Sequence, residues 1–195
     1  MTEKMKLTEG LSYEVVVRDR HGKILEQIAA PSRSYVSAWN QCLYVLNRHT
    51  SCPIVDTGGV SRSVLYSSSV LRANAGVGEI DHGIRVGKGT TPITINDYAL
   101  EAPCGEGTGV DQFLHQAMAA SSPAAAGSDC SFWIRRVMVN NSGSTISGIR
   151  EIGCYVMTKY SPRYCALGYR DVLPGSVSVP DGGSVTVTYT LKVTV

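Results

Sequence analysis

The chain has 195 residues, 43% of them hydrophobic and only 17% charged, and its formal net charge is +2. This is a globular composition, long enough for one sizeable core or two small ones, and the charge is too small to draw nucleic acid by long-range electrostatics. Charged residues fall below the usual ~25% while glycine is frequent at 20 residues, a balance suited to many strands joined by turns and to surface that neighbours cover.

Met1 to Gly10 is polar and mixed in charge, with no apolar h-region, so no secretory signal is expected. No window approaches 18 consecutive apolar residues, so no membrane span is expected. Residues 12–30 read as a β-hairpin. Tyr13, Val15 and Val17 alternate with Glu14, Val16 and Arg18, the turn falls over 19–23, and Ile24 to Ile28 returns. Ser32 or Ser34 is the candidate N-cap of a helix. From Tyr35 to Leu46 the apolar residues fall at 35, 36, 39, 42, 43 and 46, a period of about 3.6 residues. That predicts one amphipathic helix with Trp39, Leu43 and Leu46 as its buried stripe, ending near residues 47–49.

Residues 55–60 read as a turn and Ser61 to Leu71 as a strand with Val64, Tyr66 and Val70 as its apolar members. A glycine-rich loop follows over 73–83, then a short strand over 84–86, then an extended or irregular stretch from Pro92 to Leu100. Phe113 to Met118 fits a helical turn or a strand. Ala119 to Asp129 is a low-complexity hairpin tip or linker. Strands are predicted from Phe132 to Asn140, Thr145 to Met157 and Tyr164 to Val172, with another starting at Val177 and Val179. Asp181-Gly182-Gly183 turns into the last segment. From Val185 to Val195 every odd position is apolar and every even position is Thr or Lys. Such alternation marks a strand with one buried and one polar face.

These elements predict a mainly β chain, a β-sandwich or partly closed barrel with one N-terminal amphipathic helix. The chain 1–195 reads as a single β-rich domain. Its hairpin and helix (12–55) either form a lobe packed on a main β-sandwich (56–195) or share its core. A shared core is expected, because the connection to residue 61 is short.

Few residues suggest chemistry. The six cysteines, at 42, 52, 104, 130, 154 and 165, form no CxxC pair. Reduced, mostly buried thiols are expected. Gly83 to Thr90 superficially resembles a phosphate-binding loop, but the spacing is wrong, and Pro92 with a β-branched run follows where a helix should begin. A tight strand-exit turn, in which glycine tolerates positive φ, is the simpler reading. His21, His49, His82 and His115 lie far apart, each in an expected turn or helix end, with no HxH or HExxH. Among carboxylates only Glu101, Glu106 and Asp97 cluster. Arg135 and Arg136 in a strand would point to opposite faces, one towards a neighbour's carboxylate or both to solvent. The Thr face of the last strand has two readings, open to solvent or packed on another subunit. No catalytic, cofactor-binding or metal-ligating residue is nominated.

Three stretches together carry a resemblance. The first runs Ser32-Arg33-Ser34-Tyr35-Val36. The second is the run from Gly83 through Gly87-Lys88-Gly89-Thr90 to Asp97-Tyr98-Ala99-Leu100-Glu101. The third runs from Asn141 through Glu151-Ile152-Gly153-Cys154-Tyr155 and Tyr169-Arg170-Asp171-Val172 to the terminal strand. In this order they are similar to a group of small structural proteins of tailed bacteriophages, over roughly residues 12–195. The resemblance implies a non-enzymatic virion component made in the host cytoplasm, without cofactors. It would form a ring or array at the neck or tail. Its partners would be copies of itself and other phage virion proteins, with no nucleic acid and no membrane. A capsid decoration protein, or a receptor- or glycan-binding module of a tail fibre, is the alternative. The loop carrying Arg85, Lys88, Thr90, Asp97, Tyr98, Leu100 and Glu101 is the candidate subunit contact. For its 97–101 part, packing between subunits and anchoring within one subunit both remain open.

Overall fold

A computed structural model describes residues 8–32 and 34–195. Met1 to Leu7, and Arg33 of the 32–36 stretch, lie outside the described residues. The chain begins with β1 (Thr8–Arg18) and β2 (Ile24–Ser32), passes through α1 (Ser37–Arg48), and continues into the short strands β3 (Cys52–Val55), β4 (Ser61–Val64) and β5 (Gly83–Gly87). Four brief strands follow: β6 (Gly105–Glu106), β7 (Gln112–His115), β8 (Ala119–Ala120) and β9 (Ala124–Ala126). Four long ones complete the fold: β10 (Asp129–Val139), β11 (Ile146–Lys159), β12 (Tyr164–Val179) and β13 (Ser184–Thr194).

The terminal alternation becomes β13, which lies between β1 and β10 and is antiparallel to both. Tyr13 stands opposite Tyr189 and Val15 opposite Val187, so the apolar rows of the two strands share a face. The larger sheet runs in the order β2-β1-β13-β10-β7-β6, with β8 and β9 also paired to β10. A second sheet has the order β12-β11-β5, and β3 and β4 form a separate hairpin. Among the described residues the fold is mainly β with one helix, and none of the sheets closes into a barrel.

Tyr13, Val15, Val185, Val187 and Tyr189 of the larger sheet meet Ile84, Val86, Ile152, Cys154 and Tyr169 of the smaller one in a single buried cluster. Each Val or Ile among them contributes about 1.5–3 kcal/mol on full burial. A second cluster joins Val36, Ala38, Cys42 and Val45 of the helical segment to Ile54, Val64, Tyr155, Val156 and Leu167. On the other face of β13, Thr186, Thr188 and Thr190 remain part-exposed. Arg135, opposite Thr188, lies over the Trp133 ring at 4.6 Å from its centre.

Several expectations change. The helix begins at Ser37, two residues after Tyr35, and ends at Arg48 as expected; its fully buried row is Ala38, Cys42 and Val45, while Trp39 and Leu46 pack partly buried against the core. Its N-cap is Val36, without a side-chain cap. Ser32 and Ser34 point instead at Asp171. The strand expected over 61–71 stops at Val64; residues 119–129, expected as a hairpin tip or linker, supply two short strands on β10, the second turning into it as a hairpin; and β12 continues past Pro174 to Val179 with a register shift against β11. His115 lies in β7 and not in a turn or helix end, and both it and His82 are buried. All six thiols are free, four of them buried, and burial pushes those of Cys42, Cys154 and Cys165 up to about 12.

Two buried polar residues tie the irregular segments to the sheets. Arg136 points inward, because the even residues of β10 face the core. It donates to the carbonyl oxygens of Gln116 (2.8 Å), Glu79 (2.6 Å), Gly76 (3.0 Å) and Ile84 (3.3 Å). Burial lowers its pKa to about 10, so it stays charged at neutral pH. Neither solvent nor a partner's carboxylate receives it. Asp171 on β12 accepts hydrogen bonds from Ser32, Ser34 and Tyr189, each at 2.9 Å, and so links β12 to β2 and β13 of the other sheet.

Burial raises the Asp171 pKa above its ordinary value. A carboxyl with a raised folded pKa imposes no cost below its unfolded pKa and its full cost above the folded one. The stability of Asp171→Asn relative to the natural chain is therefore expected to rise as pH climbs through the window just above the ordinary Asp pKa of about 3.9. Urea unfolding at a series of pH values measures this. A pH-independent difference would mean that Asp171 ionises as freely when folded as when unfolded.

Candidate functional site

Beyond Gly87 the chain runs to Gly105 without a strand. This loop closes on itself where the Lys88 N–H donates to Ala102 and the Cys104 N–H donates to Val86, both at 2.9 Å. Beneath it stands Glu151 of β11, which pairs in register with Gly87 and is fully buried. Ile152 beside it faces the core, so strand alternation turns Glu151 to the opposite face, under the loop.

A buried carboxylate needs partners, and the loop supplies them. Glu151 accepts from the backbone N–H groups of Glu101 (2.7 Å), Ala102 (3.2 Å) and Gly89 (3.3 Å). Arg170 of β12 donates Nε to it at 2.6 Å. The same guanidinium reaches Asp97 at 2.8 Å and the Thr91 carbonyl at 3.2 Å. Glu101 then caps the near end of the loop, taking Thr90 N–H at 2.8 Å and Thr91 N–H and Oγ1 at 3.0 Å. One buried ion pair thus holds residues 89–102 at several points.

The glycines follow from this geometry. A Cβ on Gly87 would stand 2.6 Å from the Ala102 carbonyl oxygen, and one on Gly89 would stand 2.6 Å from the Glu101 Cβ. Neither has positive φ; within the 83–89 run only Gly83 does, at 84°. At 87 and 89 glycine is required for close approach around a carboxylate, not for the left-handed turn expected from the sequence. The glycine-rich loop does cradle an anion, and that anion is the chain's own Glu151.

The charges reinforce the arrangement. Burial alone would lower the Arg170 pKa, but its bonds to Glu151 and Asp97 outweigh this and raise it. Asp97 is raised by burial and lowered more by Thr94 and Arg170, ending below the usual carboxylate range. The Thr91 and Thr90 donors lower Glu101 as well. Carboxyl groups held ionised in this way suit ion pairs, whereas a general acid needs a raised pKa. Glu106 does not join them. It accepts from His115 Nδ1 at 2.6 Å elsewhere, and burial lowers the His115 pKa, favouring neutral imidazole.

The expected contact residues thus divide. Thr90, Asp97 and Glu101 gather around Arg170 and Glu151. Leu100 is buried against Gly153, and its N–H donates to the Tyr155 hydroxyl at 2.9 Å. Arg85 is buried, donating to the carbonyls of Cys104 and Ile80, and Lys88 pairs with Asp111 at 2.5 Å. Tyr98 lies over Gly59 and is half exposed. Glu151 and Arg170 were not among the expected contact residues. Their trace in the sequence is two adjacent opposite-charge pairs, Arg150-Glu151 and Arg170-Asp171, beside the uncharged runs Ile152-Gly153-Cys154-Tyr155 and Leu167-Gly168-Tyr169. Outside the clamp, every residue from Thr90 to Asn96 is exposed, including Ile93 at 39% and Ile95 at 61%.

Among the described residues no group of three or more His, Cys, Asp or Glu side chains is placed to hold a metal ion, and no helix is long and apolar enough to cross a membrane. No protein-family model, curated protein or solved structure matches the chain.

Removing one member of the clamp strands the other. Arg170→Met is expected to cost about 3–5 kcal/mol, with part recovered when Glu151→Gln is added. Gly89→Ala is expected to cost about 1–3 kcal/mol through overpacking, and Thr90→Ala to stay within about 0.5 kcal/mol. Urea unfolding checks all four. Losses below about 1 kcal/mol for Arg170→Met, well short of a buried pair's usual cost, would show that the pair is not the anchor.

Proposed function

We propose that the chain is a non-enzymatic β-sandwich structural subunit of a tailed-bacteriophage virion, assembling with copies of itself into an oligomeric ring or array at the neck or tail. The two sheets packed on one apolar cluster supply the sandwich. The observation that carries the reading is the clamped loop. A long strandless segment is fastened from behind by a buried ion pair, and it presents Ile93 and Ile95 outward. A rigid apolar protrusion gains binding energy without a large ordering cost, which is what a repeated subunit contact requires. The loop 85–101 is then both anchored and outward-facing. Arg85, Asp97, Leu100 and Glu101 hold it, while Thr90, Tyr98 and the 92–96 tip meet a neighbour. The part-exposed Thr face of the larger sheet, with Glu14 and Arg135 opposite Thr188, offers a second surface to an array. The low share of charged residues supports burial of such surfaces between subunits.

Light scattering on the purified chain over a range of concentrations tests this. A discrete multiple of 20.9 kDa is expected, and electron micrographs of that species should show closed rings or regular arrays. A strict monomer throughout would contradict self-assembly.

A further inference from the structure

Between α1 and one end of the larger sheet lies a groove of about 370 Å³, walled by Tyr35, Trp39 and Leu43 on one side and Phe132, Leu191 and Val193 on the other. It exists because β13 overhangs the core. Tyr189 is fully buried, but Leu191 is only partly covered and Val193 is 45% exposed, although both continue the inward apolar row. Leu43 faces the same space because it lies off the helix's buried row of Ala38, Cys42 and Val45.

The same chain carries a matching protrusion. The tip of the clamped loop, residues 90–96, contains no ionisable side chain and exposes Ile93 and Ile95. The groove is equally uncharged, apart from Lys192 at its edge, which pairs with Asp129 at 3.1 Å. Seating the tip in the groove would therefore strand no charge. The two features are neighbours. The Ser37 N–H donates to the Ile95 carbonyl at 2.9 Å, and Ser37 is two residues from both Tyr35 and Trp39. A head-to-tail ring contact places its two halves on different faces of a subunit, whereas a protrusion beside a recess is self-complementary across a two-fold axis.

We propose that a second copy of this chain docks here about a two-fold axis, with the 92–96 tip of each copy seated in the α1–sheet groove of the other. The inference rests on the self-assembly reading and deepens it. The two-fold contact joins pairs, and any ring closes through other surfaces.

Cys130 lines the groove and is exposed, which gives a direct test. In Ile95→Cys, mild oxidation is expected to produce a covalent dimer through reciprocal 95–130 disulfides, lost when Cys130→Ser is added. Without cross-linking, Ile95→Asp is expected to weaken dimerisation at least tenfold by sedimentation, while Val110→Asp, at a surface residue outside the groove, leaves it unchanged. An oligomer that Ile95→Asp does not weaken, with a 95–130 disulfide absent or confined to one chain, overturns this contact and leaves self-assembly standing. A monomer at all concentrations overturns both. Residues 1–7 precede β1 at this end of the sheet, where Thr8 pairs with Thr194. If deleting them is what opens Cys130 to a thiol reagent, they occupy the groove and the two-fold contact is overturned.

Discussion

The buried pair of Glu151 and Arg170 is the constraint on which the arrangement of the outer face depends. Strand alternation leaves Glu151 no choice of direction, and full burial leaves its carboxylate no water. The free energy of an unpaired buried charge is large enough to dictate what surrounds it. Three loop N–H groups and one guanidinium converge, and the path of residues 89–102 is fixed by where those donors must stand. Such a pair contributes less to net stability than to choosing one conformation among many, since its Coulomb gain is largely spent on desolvation. Its role here is positional. It converts a segment without a strand into a surface feature of defined shape.

Three buried charged or acidic sites solve the same desolvation problem differently. Glu151 is paired with a cation. Arg136 is surrounded by carbonyl oxygens contributed mainly by the 76–84 segment and Gln116. Asp171 is surrounded by three hydroxyls from the other sheet and the segment before the helix. In each case the polar residue sits in a strand, and apart from Arg170 on the adjacent strand its partners lie on an irregular segment or the facing sheet. The regular elements are held by apolar packing, and the irregular ones are fastened by these polar groups. A subunit whose loops are held this way can present them to neighbours with little ordering on contact, which links the internal chemistry to the proposed assembly.

How much of this was legible in the sequence follows from the range of the forces involved. β1, β10 and β13 were readable because one buried face imposes a two-residue period on every side chain, as Val185, Val187 and Tyr189 show. The helix was readable from its period, but its buried row was not. Whether Trp39 or Cys42 faces inward depends on where β3 and β12 lie, and nothing local records that. Ser32 and Ser34 looked like helix caps because serine hydroxyls bond backbone N–H groups when nothing better is near, and Asp171, 137 residues away from Ser34, is better. The glycines at 87 and 89 marked a special position correctly, but the crowding that requires them comes from Glu151 and Glu101, which lie far from them in the chain or are brought back by the loop. Long-range polar contacts of this kind leave only a faint trace in sequence, a pair of adjacent opposite charges in an otherwise apolar strand.

The most direct test of this account is residue-resolved amide hydrogen exchange. If Glu151 clamps the loop, the amides of Gly89, Glu101 and Ala102 will exchange slowly, at rates near those of β11 itself, while those of Ile93, Ile95 and Asn96 between them exchange fast. Uniformly fast exchange from Lys88 to Ala102 would show the loop to be unfastened, and would contradict the claim that a buried ion pair gives this surface its shape.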